Sequence, residues 1–593
     1  MKLLSFLFAS LLLLISYLIL PISPAQAISN PLSVPNNRYG IHIISATRDE
    51  ASEAARLVNT NGDWGYITVL AESGDRNEQK WQEFFNELRR RHLIPIVRLA
   101  TKPDNGNWER PYEEEGKAWA DFLDKLIWPI KNRYVIIYNE PNHGSEWGGS
   151  VDPEGFAVSA NRTIDALRQK SDDFFILNPG FDASAPNKPP AYMDQEEFMK
   201  KMNASVPGIF EKFDGWVSHS YPNPNFSGKP DAAGRGTVRT WEWEQQLLNV
   251  LGVKKVLPVF ITETGWKHSD GVTYDSSLPD PNKVGEYYKQ AFETAWSGNR
   301  IVAVTPFLLN YQEPPFDHFS FKKTGNLENA ERDYHLPYYI LQDAEKIKGK
   351  PLQVESAQFI KLAVEKDGFT NYFEATTSGT TVTLSYNEPY TIRVTFKNTG
   401  QTIWGQDSDT ALNVFGTAEA FAETRFEVGT DQTIEPGQEI TFDVPVSGLP
   451  GGEYKTSFNL FSGLKPLTPG DYLLNIEVKA PVYVQVSASL KWKENFGGDY
   501  ILGILGHLRY ALSSTNVKTV LDNTGKSGNL ETKYLLPDQE YLFTLEKPYY
   551  KPKSINQKII PGENKLDFGE LQPDIRSAML KPVELWKLLP WSK

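Results

Sequence analysis

Two glutamates could do chemistry together, because each follows a hydrophobic run that is typical of a buried strand. Glu140 lies in RYVIIYNEPNH, and Glu263 lies in VLPVFITETGW. Two carboxyl groups at the ends of two strands can cleave an acetal, since one protonates the leaving oxygen while the other attacks or stabilises the anomeric carbon. The sequence therefore predicts this reaction if the two side chains meet in space.

Residues 36–350 must position the two glutamates, and there short apolar runs alternate with amphipathic stretches. Eight strand–helix units are typical of a (β/α)8 TIM barrel, and near-continuous apolar strands indicate a parallel sheet buried on both faces. A doubly wound open sheet is the alternative fold, but the Gly-rich phosphate loop that would support it is missing here. The strand candidates are YGIHIIS, WGYITVLAE, IPIVRLAT, YVIIYNE, FFILNPGF, DGWVSHSY, LPVFITETG and IVAVTPFLLNY.

Other polar residues are expected near the ends of these strands, where the working residues of such a barrel lie. Asn139 precedes the first glutamate, His219 and Tyr221 end the sixth strand, and Arg98 lies late in the third. His42 is on the first strand. Strands four and seven lie opposite each other in a ring of eight, so their inward side chains face each other. For Arg98 a structural ion pair is the alternative role, and for His42 a place in the core.

The tetrapeptide YNEP occurs twice, which provides an internal control. Its second copy, Tyr386 to Pro389, runs directly into another strand within a region rich in short strands. We expect this copy to be a turn between strands. YNEP alone is therefore uninformative, and the weight given to Glu140 comes from its place in the barrel and from ITETGW three strands later.

On these motifs, residues 38–348 resemble the glycoside hydrolase clan A superfamily of retaining β-glycosidases, with its cellulase-like and xylosidase-like branches. In that clan the acid/base glutamate follows an Asn at the end of strand four, which corresponds here to Asn139-Glu140-Pro141-Asn142. The nucleophile ends strand seven and corresponds to Glu263. The resemblance implies a covalent glycosyl-enzyme, a 2-hydroxyl contact from Asn139, and a nucleophile held by Tyr221 or His219.

The sequence departs from the clan pattern at strand eight, where the clan often has a Trp at the floor of the sugar site. The corresponding residues here are Phe307 to Tyr311, without a Trp. Trp147 and Trp266 each follow one of the two glutamate motifs and are candidates for stacking on a sugar ring. The sugar, its linkage, and endo or exo action are left open.

Composition excludes several other classes of function. The 593 residues carry a formal net charge of -13, which argues against a nucleic-acid partner. The absence of Cys rules out disulfides, thiolate nucleophiles, Cys-ligated zinc and iron–sulfur clusters. The eight His residues show no ligand spacing, so neither a metal nor a cofactor is predicted.

The N-terminus predicts export of the protein. Lys2, an apolar run from Leu3 to Leu20 and Ala25-Gln26-Ala27 are typical of a signal peptide over residues 1–27. The run is also long enough to remain as a membrane anchor, so the predicted location is secreted or cell-surface.

The C-terminal region predicts two all-β sandwich domains and a tail. Residues 368–480 resemble an immunoglobulin-like sandwich, on Lys397-Asn398-Thr399-Gly400 followed by Trp404. Residues 481–572 resemble carboxypeptidase regulatory-like or fibronectin-like modules, and no role is assigned to the tail at 573–593. Such modules are spacers or appendages that attach an enzyme to a cell surface or a polysaccharide. No obligate protein partner is inferred.

The sequence therefore predicts a multidomain, secreted, retaining glycoside hydrolase with a carbohydrate substrate. One alternative is a carbohydrate- or cell-surface-binding protein whose barrel has lost catalysis. A structural surface protein that carries the same barrel is another.

Overall fold

A computed structural model describes most of the chain between Ile28 and Arg576. The predicted signal peptide and most of the predicted tail lie outside the described residues. The chain divides into two compact units, the first ending at Glu355 and including Gly400–Ile403, and the second comprising Ser356–Thr399 and the chain from Trp404. The described ranges are 28–325, 333–366, 369–416, 421, 423–429, 431–479, 481–508, 511–532, 535–537 and 539–576.

The described part of the first unit contains eight parallel strands, each followed by a helix, as the alternating pattern predicts. Every residue of five of these strands is buried, because helices pack on one face of the strands and apolar side chains of neighbouring strands pack on the other. The strands are β1 (Gly40–Ile43), β2 (Gly65–Glu72), β3 (Leu93–Ala100), β4 (Arg133–Ile136), β5 (Phe174–Leu177), β6 (Trp216–His219), β7 (Val259–Glu263) and β8 (Ile301–Val304).

Several of the helices begin at a side-chain cap that the sequence supplies. Asp152 accepts a hydrogen bond from the Gly155 amide at 2.9 Å, and Pro153 occupies the first turn, where its missing N–H costs nothing. No helix in the described ranges is long and apolar enough to cross a membrane. The helices are α1 (Arg48–Asn59), α2 (Glu78–Arg90), α3 (Glu115–Asp124), α4 (Pro153–Lys170), α5 (Gln195–Ser205), α6 (Thr240–Val250), α7 (Pro281–Glu293) and α8 (Leu336–Asp343).

The eight strands form two ladders, and a closed eight-stranded barrel, which the sequence predicts, is not found among the described residues. One ladder has the order β1-β2-β3-β4-β5 and the other the order β8-β7-β6. Single parallel bridges, Leu177 with Gly215 and Tyr39 with Val304, lie at the two junctions.

Apolar side chains pack on both sides of these ladders. The larger cluster fills the space between strands and helices and includes Trp81, Trp119 and Trp216, each at most 1% exposed. A second cluster is formed by residues of all the strands except β1, including Tyr134 and Phe260. Burial on both sides fixes the strand register, and thereby which residues stand at the carboxyl ends.

The described part of the second unit is built from β-sheets, in agreement with the predicted all-β class. In chain order, its strands β9 to β25 are Ala357–Lys366, Phe369–Ala375, Thr380–Ser385, Tyr390–Asn398, Thr410–Gly416, Arg425–Glu427, Glu439–Val446, Gly452–Ser462, Lys465–Pro466, Tyr472–Lys479, Val482–Leu490, Gly498–Leu508, Ala511–Leu521, Leu530–Glu531, Glu540–Glu546, Lys553–Lys558 and Gly562–Leu571.

These strands form four main sheets around two hydrophobic clusters. Two sheets share one cluster, with the orders β10-β9-β12-β15 and β11-β18-β16-β13-β14, and β17 pairs with β16. Two further sheets share another cluster, with the orders β22-β19-β25 and β21-β20-β23-β24. The division into an immunoglobulin-like and a carboxypeptidase regulatory-like or fibronectin-like sandwich stays a prediction.

Candidate active site

The two glutamates reach the same place by different local structures. Glu263 is the last residue of β7, as predicted. The predicted fourth strand runs to Glu140, but β4 already ends at Ile136, and Glu140 lies in the turn beyond it. Tyr138 and Glu140 have φ values of 63° and 28°, a conformation that costs a residue with a side chain on the order of 1–3 kcal/mol. The buried Tyr138 ring helps to hold this turn in place.

The structure brings the two carboxyl groups together, with His219 between them. One oxygen of Glu140, one oxygen of Glu263 and a ring nitrogen of His219 all lie within 4.8 Å of one another. His219 Nδ1 is 2.7 Å from Glu140 Oε1 and 3.8 Å from Glu263 Oε2. The imidazole of His219 is 1% exposed, so it links the two glutamates inside the protein rather than at its surface.

Glu263 is held by hydrogen bonds and a positive charge. Arg98 Nη1 donates to Glu263 Oε1, and the Tyr221 hydroxyl donates to Glu263 Oε2 at 3.1 Å. His42 Nε2 lies 4.0 Å from Oε1. The structure therefore places the four predicted residues Arg98, Tyr221, His219 and His42 around Glu263.

These neighbours keep Glu263 ionised. Burial by itself would raise the pKa of Glu263, but the charges of His219 and Arg98 outweigh it and lower the pKa to about 2. Burial and the negative charge of Glu263 raise the pKa of Tyr221 well above its usual value, so Tyr221 remains a hydrogen-bond donor. At neutral pH Glu263 is thus a carboxylate with fixed donors.

The pKa values of the two buried histidines shift in opposite directions. Burial would lower the pKa of His219, but Glu263 and Glu140 raise it above the usual value. Burial, followed by the charge of Arg98, lowers the pKa of His42 to about 3. His219 is therefore the more basic of the two imidazoles, and His42 is neutral near pH 7. Both ring nitrogens of His42 are without a hydrogen-bond partner among the described residues.

Asn139 connects the nucleophile side of the site to a third carboxyl group, Glu146. The Asn139 oxygen accepts from Arg98 Nη1 at 3.1 Å, and the Asn139 nitrogen donates to Glu146 Oε2 at 3.3 Å. Burial and the charge of Glu140 raise the pKa of Glu146 to about 7. Reasoning from strand ends missed Glu146, because it lies in a short 3-10 turn, Gly144–Glu146, of the loop after β4.

The two tryptophans proposed for sugar stacking lie in the hydrophobic core. Trp147 is 3% exposed and packs against Tyr138 and Phe156, while Trp266 is 1% exposed and donates from Nε1 to the Gly228 oxygen. Neither ring presents an open face, so sugar stacking by these residues has no support in this structure. Their apolar rings are instead buried by packing against neighbouring side chains.

Phe307, just beyond β8, contacts the site where the clan often has a Trp. Its ring packs edge-on against His42, with ring centroids 5.2 Å apart, and it joins a cluster with Phe319 and Tyr221. In the sequence Phe307 stands out only as the start of a segment without Trp. Its aromatic character, shortly after the eighth strand, was the signal that could have identified it.

The cluster of Glu140, His219 and Glu263 is also the one described group of three acidic or His side chains close enough to hold a metal ion. The sequence shows no such group, since these residues are far apart in the chain. Their ligand atoms already contact one another or Arg98 and Tyr221. Arg98 already supplies a positive charge to the Glu263 carboxylate.

No family model matches the chain, and no curated protein does. Solved structures do show similarity. A family 39 glycoside hydrolase from Bacteroides cellulosilyticus WH2 is 14% identical with a TM-score of 0.37, over 70% of this chain and 82% of the other. GH5_18 from Streptomyces cattleya in complex with GlcNAc is 11% identical with a TM-score of 0.36, over 52% and 80%.

A calcium-binding mutant of Bacteroides uniformis beta-glucuronidase 2 is 12% identical with a TM-score of 0.34, over 85% of this chain and 64% of the other. All three TM-scores lie below 0.5. The function is therefore argued from the geometry of the site.

Proposed function

We propose that the protein is a retaining β-glycoside hydrolase that works by double displacement, with Glu140 as acid/base and Glu263 as nucleophile. One observation carries the proposal: the two glutamates have oxygens within 4.8 Å of each other in a buried, donor-rich site. Retaining enzymes have carboxyl groups about 5–5.5 Å apart, whereas inverting enzymes need about 6.5–9.5 Å to fit a water. A nearest-oxygen distance below 4.8 Å agrees with the closer, retaining arrangement of the two carboxyl groups.

The different environments of the two carboxyl groups support their different roles. Glu263 is fixed by Arg98 and Tyr221 and has a lowered pKa, which suits a nucleophile that must be ionised. Glu140 has no Arg or Lys within ion-pair distance among the described residues, and it lies 2.7 Å from His219, an imidazole that can exchange a proton with it. Glu140 is thus the group better suited to give and receive a proton.

In the first step Glu140 protonates the glycosidic oxygen while Glu263 attacks the anomeric carbon. The bond to the leaving group breaks, and a covalent glycosyl-enzyme forms on Glu263. In the second step Glu140, now a carboxylate, takes a proton from water as the water oxygen attacks the same carbon, and the bond from that carbon to Glu263 breaks to release the Glu263 carboxylate. Two inversions retain the configuration, and both glutamates return to their starting states.

Asn139 is proposed to bind the 2-hydroxyl of the sugar at the cleavage site, a contact that strengthens in the transition state. Its side-chain oxygen is already bound to Arg98, and one N–H is bound to Glu146. These two contacts fix the orientation of the amide and leave its second N–H for substrate.

The remaining sequence predictions complete this proposal. The two ladders are proposed to act as a (β/α)8 barrel with the site at the carboxyl ends of its strands. The protein is proposed to be exported through residues 1–27, or held by them at the cell surface. The C-terminal sheets are proposed to be sandwich modules that attach the enzyme to a cell surface or polysaccharide.

The test is hydrolysis of a panel of aryl β-glycosides and β-linked polysaccharides, with proton NMR of the first-formed sugar. Retention predicts that the β-anomer is released first and then mutarotates. An α-anomer first would refute the double-displacement mechanism. Glycan binding without turnover would favour the binding-protein alternative, and neither binding nor turnover would favour a structural surface protein.

A further inference from the structure

A cleft opens between helices α3 and α4 and the loops that precede these two helices. Its volume is about 440 Å³, within the range of about 300–1,000 Å³ that is usual for small-molecule sites. Neither Glu140 nor Glu263 lies in its lining. The cleft is therefore separate from the two glutamates, and the proposed mechanism leaves it without a role.

Small residues of α3 and α4 allow the two helices to meet at the cleft. A Cβ atom on Gly116 would lie 2.7 Å from the Thr163 Cα, so α3 contacts α4 closely at this point. Gly155 and Ser159, in the first two turns of α4, add little bulk to the lining. Space for a ligand thus remains next to the contact between the helices.

Two side chains with apolar surface line the cleft without being buried. Tyr112, just before α3, is 55% exposed, and Val158 on α4 is 42% exposed. An exposed aromatic ring offers an apolar face to the C–H groups of a sugar and a hydroxyl for hydrogen bonds. Tyr112 is therefore open to the sugar stacking that the buried rings of Trp147 and Trp266 cannot perform.

The charged residues of the lining are arranged mainly in ion pairs. Arg110 Nη1 is 2.8 Å from Asp152 Oδ2, and Arg162 Nη2 is 3.2 Å from Glu113 Oε1. With Glu154, the lining holds two arginines and three carboxylates, a net charge of -1. Five charged groups disfavour an apolar lipid chain, and the net charge gives no attraction for a polyanion. Guanidinium N–H groups beside carboxylate oxygens suit neutral hydroxyls, which both donate and accept.

We propose that this cleft is a second, non-catalytic site that binds a neutral polysaccharide, with a sugar ring stacked on Tyr112 and its hydroxyls bound by Arg162 and Glu113. The loop after β4 connects the cleft to the proposed active site, because it carries both Glu140 and the cleft residue Trp147. A polymer held in the cleft is thereby kept at a high local concentration near the two glutamates. The part of the inference that concerns turnover rests on the proposed function, whereas the binding itself does not.

The first experiment measures binding without turnover, by affinity electrophoresis of the full-length Glu263→Ala variant in gels that contain a polysaccharide. The neutral probes are hydroxyethylcellulose, arabinoxylan, glucomannan and a β-1,3-glucan, and the acidic probe is polygalacturonate. We expect at least one neutral polymer to retard the protein, and Tyr112→Ala or Val158→Arg in the same background to weaken the affinity by about tenfold. Tyr386→Ala, at a tyrosine 43% exposed in the second unit, should leave the affinity unchanged.

Retardation by no neutral polymer, or by polygalacturonate alone, would overturn the inference. Unchanged affinity in both folded cleft variants would overturn it as well. The two substitutions lie on different elements, so Val158→Arg, at an exposed position on α4, still decides if Tyr112→Ala does not fold.

The second experiment compares kcat/KM for the bound polysaccharide with kcat/KM for an aryl β-glycoside that is too small to reach the cleft. Tyr112→Ala should lower the ratio of polysaccharide to aryl glycoside by about fivefold or more, because only the polymer uses the cleft, and Tyr386→Ala should leave the ratio unchanged. An unchanged ratio in a folded Tyr112→Ala variant would contradict the role of the cleft in holding substrate. Absence of all turnover in the wild-type protein would refute the proposed function, and the binding experiment would still decide on the cleft.

Discussion

The two YNEP segments share four residues but differ in every feature that matters for chemistry. In the first, Glu140 has a side chain 16% exposed and lies 2.7 Å from His219. In the second, Glu388 is 47% exposed and pairs with Lys366 at 2.9 Å. That second copy forms a turn between β11 and β12, as the sequence predicts.

The difference lies in what surrounds each turn. Tyr138 is 3% exposed, whereas Tyr386 is 43% exposed. The turn after β4 is held by a packed core and faces the ends of β6 and β7, which supply His219 and Glu263. The turn after β11 leads directly into β12, and the side chains of Tyr386 and Glu388 in this turn are exposed to solvent. The same tetrapeptide is therefore part of the proposed active site in one place and a connection between strands in the other.

Substitution of Glu263, the proposed nucleophile, should produce the largest difference in kcat between the two regions. Glu263→Ala should lower kcat for aryl β-glycosides by about 10⁴-fold or more, because no covalent intermediate can form. Glu388→Ala should leave kcat unchanged. Near-normal activity of a folded Glu263→Ala variant would end the glutamate-pair assignment.

Substitution of Glu140, the proposed acid/base, should have the next largest effect on kcat. Glu140→Gln removes the proton donor and should reduce kcat by about 10²–10⁴-fold, most strongly for substrates with poor leaving groups. The matched change Glu388→Gln tests the same substitution in the same tetrapeptide and should have no effect. Equal losses for good and poor leaving groups would argue against Glu140 as the acid.

The ion pairs of the two regions should differ in their contribution to stability. Arg98→Met leaves the buried charge of Glu263 without its cation and should reduce the free energy of unfolding by about 3–5 kcal/mol. Lys366→Met at the surface pair with Glu388 should cost no more than about 1 kcal/mol. Urea denaturation followed by tryptophan fluorescence measures both, and similar small losses would mean that Glu263 is not a buried, paired charge.

Replacing a glutamate by glutamine should change the pH dependence of the unfolding free energy at the buried Glu263 but not at the exposed Glu388. Because the pKa of Glu263 is lowered from 4.5 to about 2, its stabilising contribution is present above about pH 4.5 and lost as pH falls through about 2. Glu263→Gln should therefore flatten the unfolding free energy between these values, and Glu388→Gln should not. An unchanged acid limb in Glu263→Gln would contradict the lowered pKa.

Removal of metal ions by a chelator should leave the activity unchanged, which is the smallest of the expected effects. The carboxylate oxygens and the imidazole nitrogen that could bind a metal are already in contact with protein donors or with each other. Dialysis against EDTA should leave kcat/KM for aryl β-glycosides unchanged, with re-addition of divalent cations as the control. Loss of activity that a cation restores would point to a metal site at Glu140, His219 and Glu263.

Residue patterns predicted much of the fold and part of the site. The eight strands and their helices follow from apolar periodicity, and Arg98, His219 and Tyr221 were found from their places near strand ends. Trp147 and Trp266 show the limit of this reasoning, since an aromatic residue after a motif packs in a core as readily as it lines a cleft. Glu146 lies in a loop, where no periodicity marks the position of a side chain.

By itself, the sequence determined the strand–helix alternation, because burial on both faces of parallel strands requires continuous apolar runs. It also determined which residues stand near strand ends. Only the tertiary structure decided that Glu140 and Glu263, which are far apart in the chain, have carboxyl oxygens within 4.8 Å of each other. The physical reason is that a carboxyl group's distance, charge and pKa depend on neighbours from other strands, and those neighbours are set by packing.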